Sequence, residues 1–167
     1  MSVELILVRH AIAFERNPLR WPDDRLRPLS PAGRQRFRKA AEGLGRWLPE
    51  IDRVFTSPLT RARETATLLT EHAGWPVAVE CPPLAPRGDP EAVFTFLRRQ
   101  RGKRIALVGH EPDLSGLAAA CLPGSPSARS FEFKKGGLMC IDFESRPSAG
   151  TGVLSSFVPP RVLRAMR

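Results

Sequence analysis

The sequence predicts a three-layer α/β/α sandwich built around a mostly parallel, mixed central sheet. Three observations carry that expectation. Strand-like and helix-like segments alternate from the N-terminus to about residue 121. Two of the strand-like segments, Val3 to Val8 and Arg104 to Val108, are near-continuous apolar runs, as strands covered on both faces are. After about residue 128 the alternation stops and strand-like segments follow one another, which makes the sheet mixed.

Each element has a local reason. A polar stretch from Glu15 to Leu29 follows the first strand, and Ser30-Pro31 then opens a helix, with Ser as N-cap and Pro at the first helical position. That helix runs to about Trp47, with Gly33 and Gly43 lowering its propensity. The device recurs. Arg53 to Thr56 is a short strand, and Ser57-Pro58 opens a helix to about His72. Val77 to Val79 is another strand, and Asp89-Pro90 opens a helix to about Arg99. The strand Arg104 to Val108 leads through Gly109-His110 into a helix over Pro112 to Cys121. Beyond the loop at 122–128, Phe131 to Phe133, Leu138 to Phe143 and Val153 to Val158 are expected as strands. The first two form a hairpin about Lys134-Lys135-Gly136-Gly137, and the basic tail adds a helical turn.

With 167 residues the chain is expected to form one domain, residues 1–167. No run approaches the roughly 20 apolar residues of a membrane span, and no basic segment precedes an apolar core at the start, as a secretory signal would require. Cys81, Cys121 and Cys140 are odd in number and widely spaced, which argues against a disulfide framework or zinc site and for a reducing cytoplasm. The formal charge is +9, carried overwhelmingly by arginine, whose planar fork suits phosphate. An Arg-rich codon bias accounts for part of that excess, so charge ranks anionic partners without choosing one.

In parallel sheets ligands bind beyond the carboxyl ends of the strands. Three segments leave such ends here. The first delivers Arg9 and His10, the second Ser57 and a helix carrying Arg61 and Arg63, the third His110. A strand-terminal histidine is more often a surface residue, and an arginine in a first helical turn usually faces solvent. Convergence of two histidines and at least two arginines on one edge, near helix N-termini that favour anions, outweighs those readings. The residue types suit phosphoryl transfer: a neutral imidazole as nucleophile, and guanidiniums for the equatorial oxygens, with no metal or other cofactor called for. No GxxxxGK[ST] loop and no CxxxxxR loop is present, so neither a P-loop nucleotide site nor a cysteine phosphatase is expected.

These motifs resemble a known family. Leu7-Val8-Arg9-His10, Ser57-Pro58-Leu59-Thr60-Arg61-Ala62-Arg63-Glu64-Thr65 and Val108-Gly109-His110 are similar to the ordered signatures of the histidine phosphatase (phosphoglycerate mutase-like) superfamily. The short length, Asp23 to Gly33 and the GHEPDLSGL stretch look most like SixA-type phosphohistidine phosphatases. The resemblance implies His10 as the transiently phosphorylated nucleophile. Arg9, Arg61 and His110 would cradle the phosphoryl group, with Arg27 as a further phosphate contact. Two departures stand out. Ala11 follows His10 where the family usually has glycine, and Pro83 falls where many members carry an acidic glutamate. Glu80, Asp89 and Asp24 remain as candidate acids; Asp89 is assigned to an N-cap, leaving Asp24.

A weak acid bears on the substrate. An alkoxide must be protonated to leave, whereas a phosphoimidazole protonated on its free nitrogen leaves as neutral imidazole, whose conjugate acid has a pKa of about 6.5. Few residues are free to build a lid, so an open site is expected. The favoured function is hydrolysis of phosphohistidine on a partner protein, such as a phosphorelay or phosphotransfer protein, by a monomer. The alternative is a small-molecule phosphomonoesterase of the same superfamily. A non-catalytic basic binder of anions or nucleic acid ranks third, since such a binder needs no nucleophile. Trp21, Trp47, Trp75 and the phenylalanines lack the basic-aromatic interleaving of a nucleic-acid platform, and Lys134-Lys135 is read as a solvated turn.

Overall fold

The computed structural model describes residues 2–124 and 126–166, so Ser125 of the loop expected at 122–128 lies outside the described residues. Six strands form one sheet: β1 (Val3–Arg9), β2 (Arg53–Thr56), β3 (Val79–Glu80), β4 (Arg104–Gly109), β5 (Leu138–Phe143) and β6 (Val153–Val158). Their order is β3-β2-β4-β1-β5-β6. The first four are parallel, and β5 and β6 are antiparallel additions on the β1 side. The mixed α/β architecture agrees with the expectation.

The apolar run of β1 is explained by the two layers it separates. Ile6 and Val8 pack toward the helices α1 (Pro31–Trp47) and α2 (Thr60–Ala73), beside Phe37, Leu44 and Leu69. Leu5 and Leu7, one residue out of phase, pack on the other face with α3 (Pro90–Arg98) and α4 (Asp113–Cys121), beside Phe94, Leu97 and Leu117. A period of two thus feeds both cores from one strand. The short α5 (Pro160–Leu163) closes the α1 side, with Leu163 buried.

The helix starts follow their caps. Ser30 Oγ accepts from Gly33 N, and Asp89 accepts from Glu91 N, as its assignment to an N-cap requires. The glycines of α1 have a packing reason. A Cβ on Gly33 would stand 2.0 Å from the Ile12 carbonyl oxygen, and one on Gly43 would stand 2.1 Å from that of Leu163. Helix propensity is given up so that backbone can approach backbone.

Three local expectations are corrected. β3 lies at Val79–Glu80, not 77–79, because its register is set by Phe55 and Thr56 of β2, while Val77, just after Pro76, stays 78% exposed. α2 begins at Thr60, not at Ser57-Pro58; its N-cap is Leu59, and the Ser57 hydroxyl is engaged elsewhere. Phe131 to Phe133 is not a strand, and the partner of β5 at that edge is β6. The Phe131–Phe133 backbone is satisfied by side chains instead: Phe133 N donates to Glu111 Oε1 at 2.9 Å, Phe131 O accepts from Ser115 Oγ at 2.7 Å, and Phe133 O accepts from Arg9.

Candidate active site

The sheet brings β1 and β4 side by side, with Arg9 paired to Gly109, so the residues that follow each strand emerge together. His10 and His110 are 7% and 3% exposed, and their ring centroids are 5.1 Å apart. Arg61, on the first turn of α2, is 5% exposed. Arg63, expected beside it, is turned away: two residues on a helix differ by about 200°, and Arg63 is exposed, lining a groove with Glu71 and Glu80 along α2 and β3.

His10 is held in a defined tautomer. Its Nδ1 lies 2.6 Å from the carbonyl oxygen of Ala11, so Nδ1 carries the hydrogen and donates it. Nε2 is left with its lone pair. The backbone around it is pinned from two directions. Ala11 N donates to Thr65 Oγ1 at 3.0 Å, and Thr65 donates on to Arg61 O at 2.7 Å. Gly136 N lies 3.1 Å from Arg9 O and 3.2 Å from His10 O. Ala11 itself has no positive φ, so its methyl in place of glycine strains nothing.

The electrostatics keep both imidazoles neutral. Burial, the neighbouring His110 and the charges of Arg61 and Arg9 push the His10 pKa down to about 2. Burial, with Arg61 and Arg9, pushes His110 down to about 3. His110 Nε2 lies 2.7 Å from Ser57 Oγ, which also accepts from Leu59 N at 3.3 Å, just ahead of α2. Among the described residues, Arg9 Nε, Arg61 Nε and His110 Nδ1 are buried without a hydrogen-bond partner. Buried polar atoms of this kind are costly unless a ligand pairs with them.

Asp24 and Arg27 reach the same place. Arg27 Nε donates to Asp24 Oδ1 at 2.7 Å, Arg27 Nη1 donates to Phe14 O, and Arg61 Nη2 lies 3.3 Å from Asp24 Oδ2. Arg61 Nη1 also donates to the Asp24 carbonyl at 2.9 Å. The Arg27 hydrogen bond, with the charges of Arg61 and Arg16, holds the Asp24 carboxyl below its ordinary range. At rest Asp24 is therefore an ionised clasp between two arginines, and most of Arg27's fork is already occupied.

Residue-by-residue reading missed several supports. Thr65 and Ser57 stand inside the second motif, and only the fold shows what they hold. For Thr65 the signal is helical: Arg61, Glu64 and Thr65 share one face of α2, and Glu64 accepts from Leu29 N at 2.7 Å and pairs with Arg34. Glu111, beside His110, holds the Phe133 segment that in turn anchors Arg9. Lys135, expected as a solvated turn residue, feels the charges of Arg9, Arg27 and Arg61, which with its partial burial lower its pKa.

A strand-edge pair of histidines among buried arginines on a mixed α/β sheet is the arrangement of a phosphoryl-handling protein, and comparison places it. The profile of the histidine phosphatase superfamily, branch 1, matches residues 5–81. The chain is 34% identical over 140 residues to an uncharacterized protein of Picosynechococcus sp., covering 82% of this chain and 83% of that one. It is 29% identical over 126 residues to phosphohistidine phosphatase SixA of Escherichia coli, covering 73% and 76% of the two chains. The solved structure of the protein histidine phosphatase SixA complexed with tungstate superposes with a TM-score of 0.82 at 23% identity, over 96% of this chain and 99% of that one. The chain belongs to the histidine phosphatase superfamily, and its fold is that of SixA. Among the described residues no helix is long and apolar enough to cross a membrane.

Proposed function

We propose that this protein is a phosphatase that removes the phosphoryl group from phosphohistidine on a partner protein, through a phosphohistidine intermediate on His10. The observation that carries the reading is the His10 hydrogen bond to Ala11, which leaves Nε2 bare beside His110 in a field of buried guanidiniums. In the first step the Nε2 lone pair attacks phosphorus while the P–N bond to the substrate imidazole breaks. That imidazole, protonated on its other nitrogen, leaves neutral. In the second step water attacks phosphorus, the P–Nε2 bond breaks, and the water proton passes to phosphate. Throughout, the proton stays on His10 Nδ1, hydrogen-bonded to the Ala11 carbonyl, so neither step requires proton movement on the nucleophile. Arg9, Arg61 and His110 offer their free donors to the equatorial oxygens, where charge develops, and Arg27 holds the Asp24–Arg61 pair with a remaining donor toward phosphate. These groups supply the charge a metal would otherwise provide.

The substrate class rests on Asp24. An ionised carboxylate clasped by arginines is a poor proton donor, which suits a leaving group that needs none. The +9 charge favours an acidic protein as the bearer. Hydrolysis of small phosphomonoesters is the second reading and requires Asp24 to supply a proton.

Incubation with a phosphohistidine-bearing protein tests the proposal. Wild type releases phosphate and becomes labelled on His10, whereas His10→Ala does neither, with a loss of at least about 10³-fold. Equal turnover by the variant would remove His10 as the nucleophile.

A further inference from the structure

The loop from Phe14 to Asp23, which leads into Asp24, contributes no side chain to the proposed chemistry, yet it is tightly built. Asn17 Oδ1 accepts from the backbone N–H groups of Leu19 and Arg20 at 3.0 and 3.1 Å, and its carbonyl accepts from Trp21 N at 2.8 Å. The Arg20 guanidinium lies 4.7 Å from the Phe14 ring centre and 4.5 Å from that of Trp21. Those two rings are 5.1 Å apart. The base of the loop is tied to the catalytic edge, because Phe14 O accepts from Arg27 and Arg16 Nε lies 3.9 Å from Asp24 Oδ1.

At the tip Leu19 is 95% exposed, the most exposed of the large apolar side chains among the described residues. A lone exposed leucine is ordinary. One held on a pinned turn is different when its neighbour is an arginine stacked on two rings. Arg20 has no carboxylate partner among the described residues, so its donors are oriented and free. Arg16, at the base, is paired with Asp24, so Arg20 is the cation that the tip itself presents.

We propose that Leu19 and Arg20 form a docking tip for the folded, acidic protein that bears the phosphohistidine. This rests on the substrate reading above. Leu19 enters an apolar notch on that protein, and Arg20 makes a bidentate contact with one of its carboxylates. Because the turn fixes the Leu19 backbone and the stack holds the Arg20 guanidinium, the ordering entropy that opposes docking is reduced. Charge complementarity selects an acidic surface, and the position beside Arg27 and Asp24 places that surface over the histidines.

The test compares two substrates: an acidic histidine-phosphotransfer domain phosphorylated on histidine, and free phosphohistidine. With Leu19→Asp or Arg20→Glu, KM for the protein rises by about tenfold or more, the scale of a single interface anchor. Its kcat, and turnover of free phosphohistidine, stay at wild-type levels, which also shows that the variants are folded. Unchanged KM for the protein, or an equal loss on both substrates, overturns the docking tip. Dimerisation of wild type that Leu19→Asp abolishes overturns it in favour of self-association. Wild type idle on both substrates overturns the phosphohistidine reading itself and the tip with it.

Discussion

The imidazoles of His10 and His110 lie 5.1 Å apart, tilted by 55°, although they leave different strands of the sheet. Parallel pairing of β1 with β4 creates this relationship, since Arg9 and Gly109 are register partners and His10 N donates to Gly109 O at 3.0 Å. Two buried rings this close, among arginines, resist the second proton that would make either of them cationic.

Acid should therefore destabilise the fold through these two groups. In the unfolded chain both titrate near 6.5; in the folded one they are pushed down to about 2 and about 3. Below 6.5 the unfolded state binds protons that the folded state refuses, so their contribution to stability is complete above that pH and falls as pH drops toward 3. Thermal denaturation between pH 7.5 and 4.5 should show the midpoint falling with acid, on the order of several degrees. His10→Asn, which cannot be protonated there, should show a shallower fall; an identical slope would mean that His10 is not the group resisting the proton.

Thr65 links the backbone that follows His10 to α2. Thr65→Val keeps the volume but removes the acceptor for Ala11 N, stranding a buried donor at a cost of about 1–3 kcal/mol. The expected result is a lower melting temperature together with a reduced kcat and little change in KM, because the carbonyl that orients His10 belongs to the loosened residue. Full retention of kcat would separate Thr65 from the nucleophile.

Asp24→Asn discriminates between substrates. If the carboxylate is only a clasp for Arg27 and Arg61, phosphohistidine turnover falls modestly, by less than about tenfold, since Arg61 still donates to the Asp24 carbonyl. Were it a general acid, alkyl phosphate turnover in wild type would be substantial and would drop by about 10²–10⁴-fold in the variant. Steady-state rates on both substrates read this directly, and the clasp is the expected outcome.

Gly33→Ala tests the close approach of α1 to the loop after His10. A methyl group 2.0 Å from the Ile12 oxygen must displace backbone, at a cost of about 1–3 kcal/mol despite the better helix propensity. Calorimetry should show a midpoint lower by about 2–10 °C. A rise would show that the helix can slide.

Local chemistry is what made much of this legible. The paired Ser30-Pro31 and Asp89-Pro90 signals marked two helix starts, because capping involves only neighbours. The same signal at Ser57-Pro58 misled by a few residues: its hydroxyl accepts from Leu59 N in a turn ahead of α2 and also meets His110 from the neighbouring strand. Phe131 to Phe133 has strand-like residues, yet Glu111, Ser115 and Arg9 take its backbone groups, a competition that no local pattern reports. Arg63 shares the motif of Arg61 but lies on another face of the helix, which periodicity alone could have shown.

From its own order of residues the chain determined which strands are buried on both sides and that Arg9, His10, Arg61 and His110 follow strand ends, because side-chain alternation and helix capping act over a few residues. The three-dimensional arrangement alone decided the His10 tautomer, the clasp that Arg27 and Arg61 form on Asp24 and the partner of Ser57. Each depends on the field and hydrogen bonds of atoms that meet only when the sheet assembles.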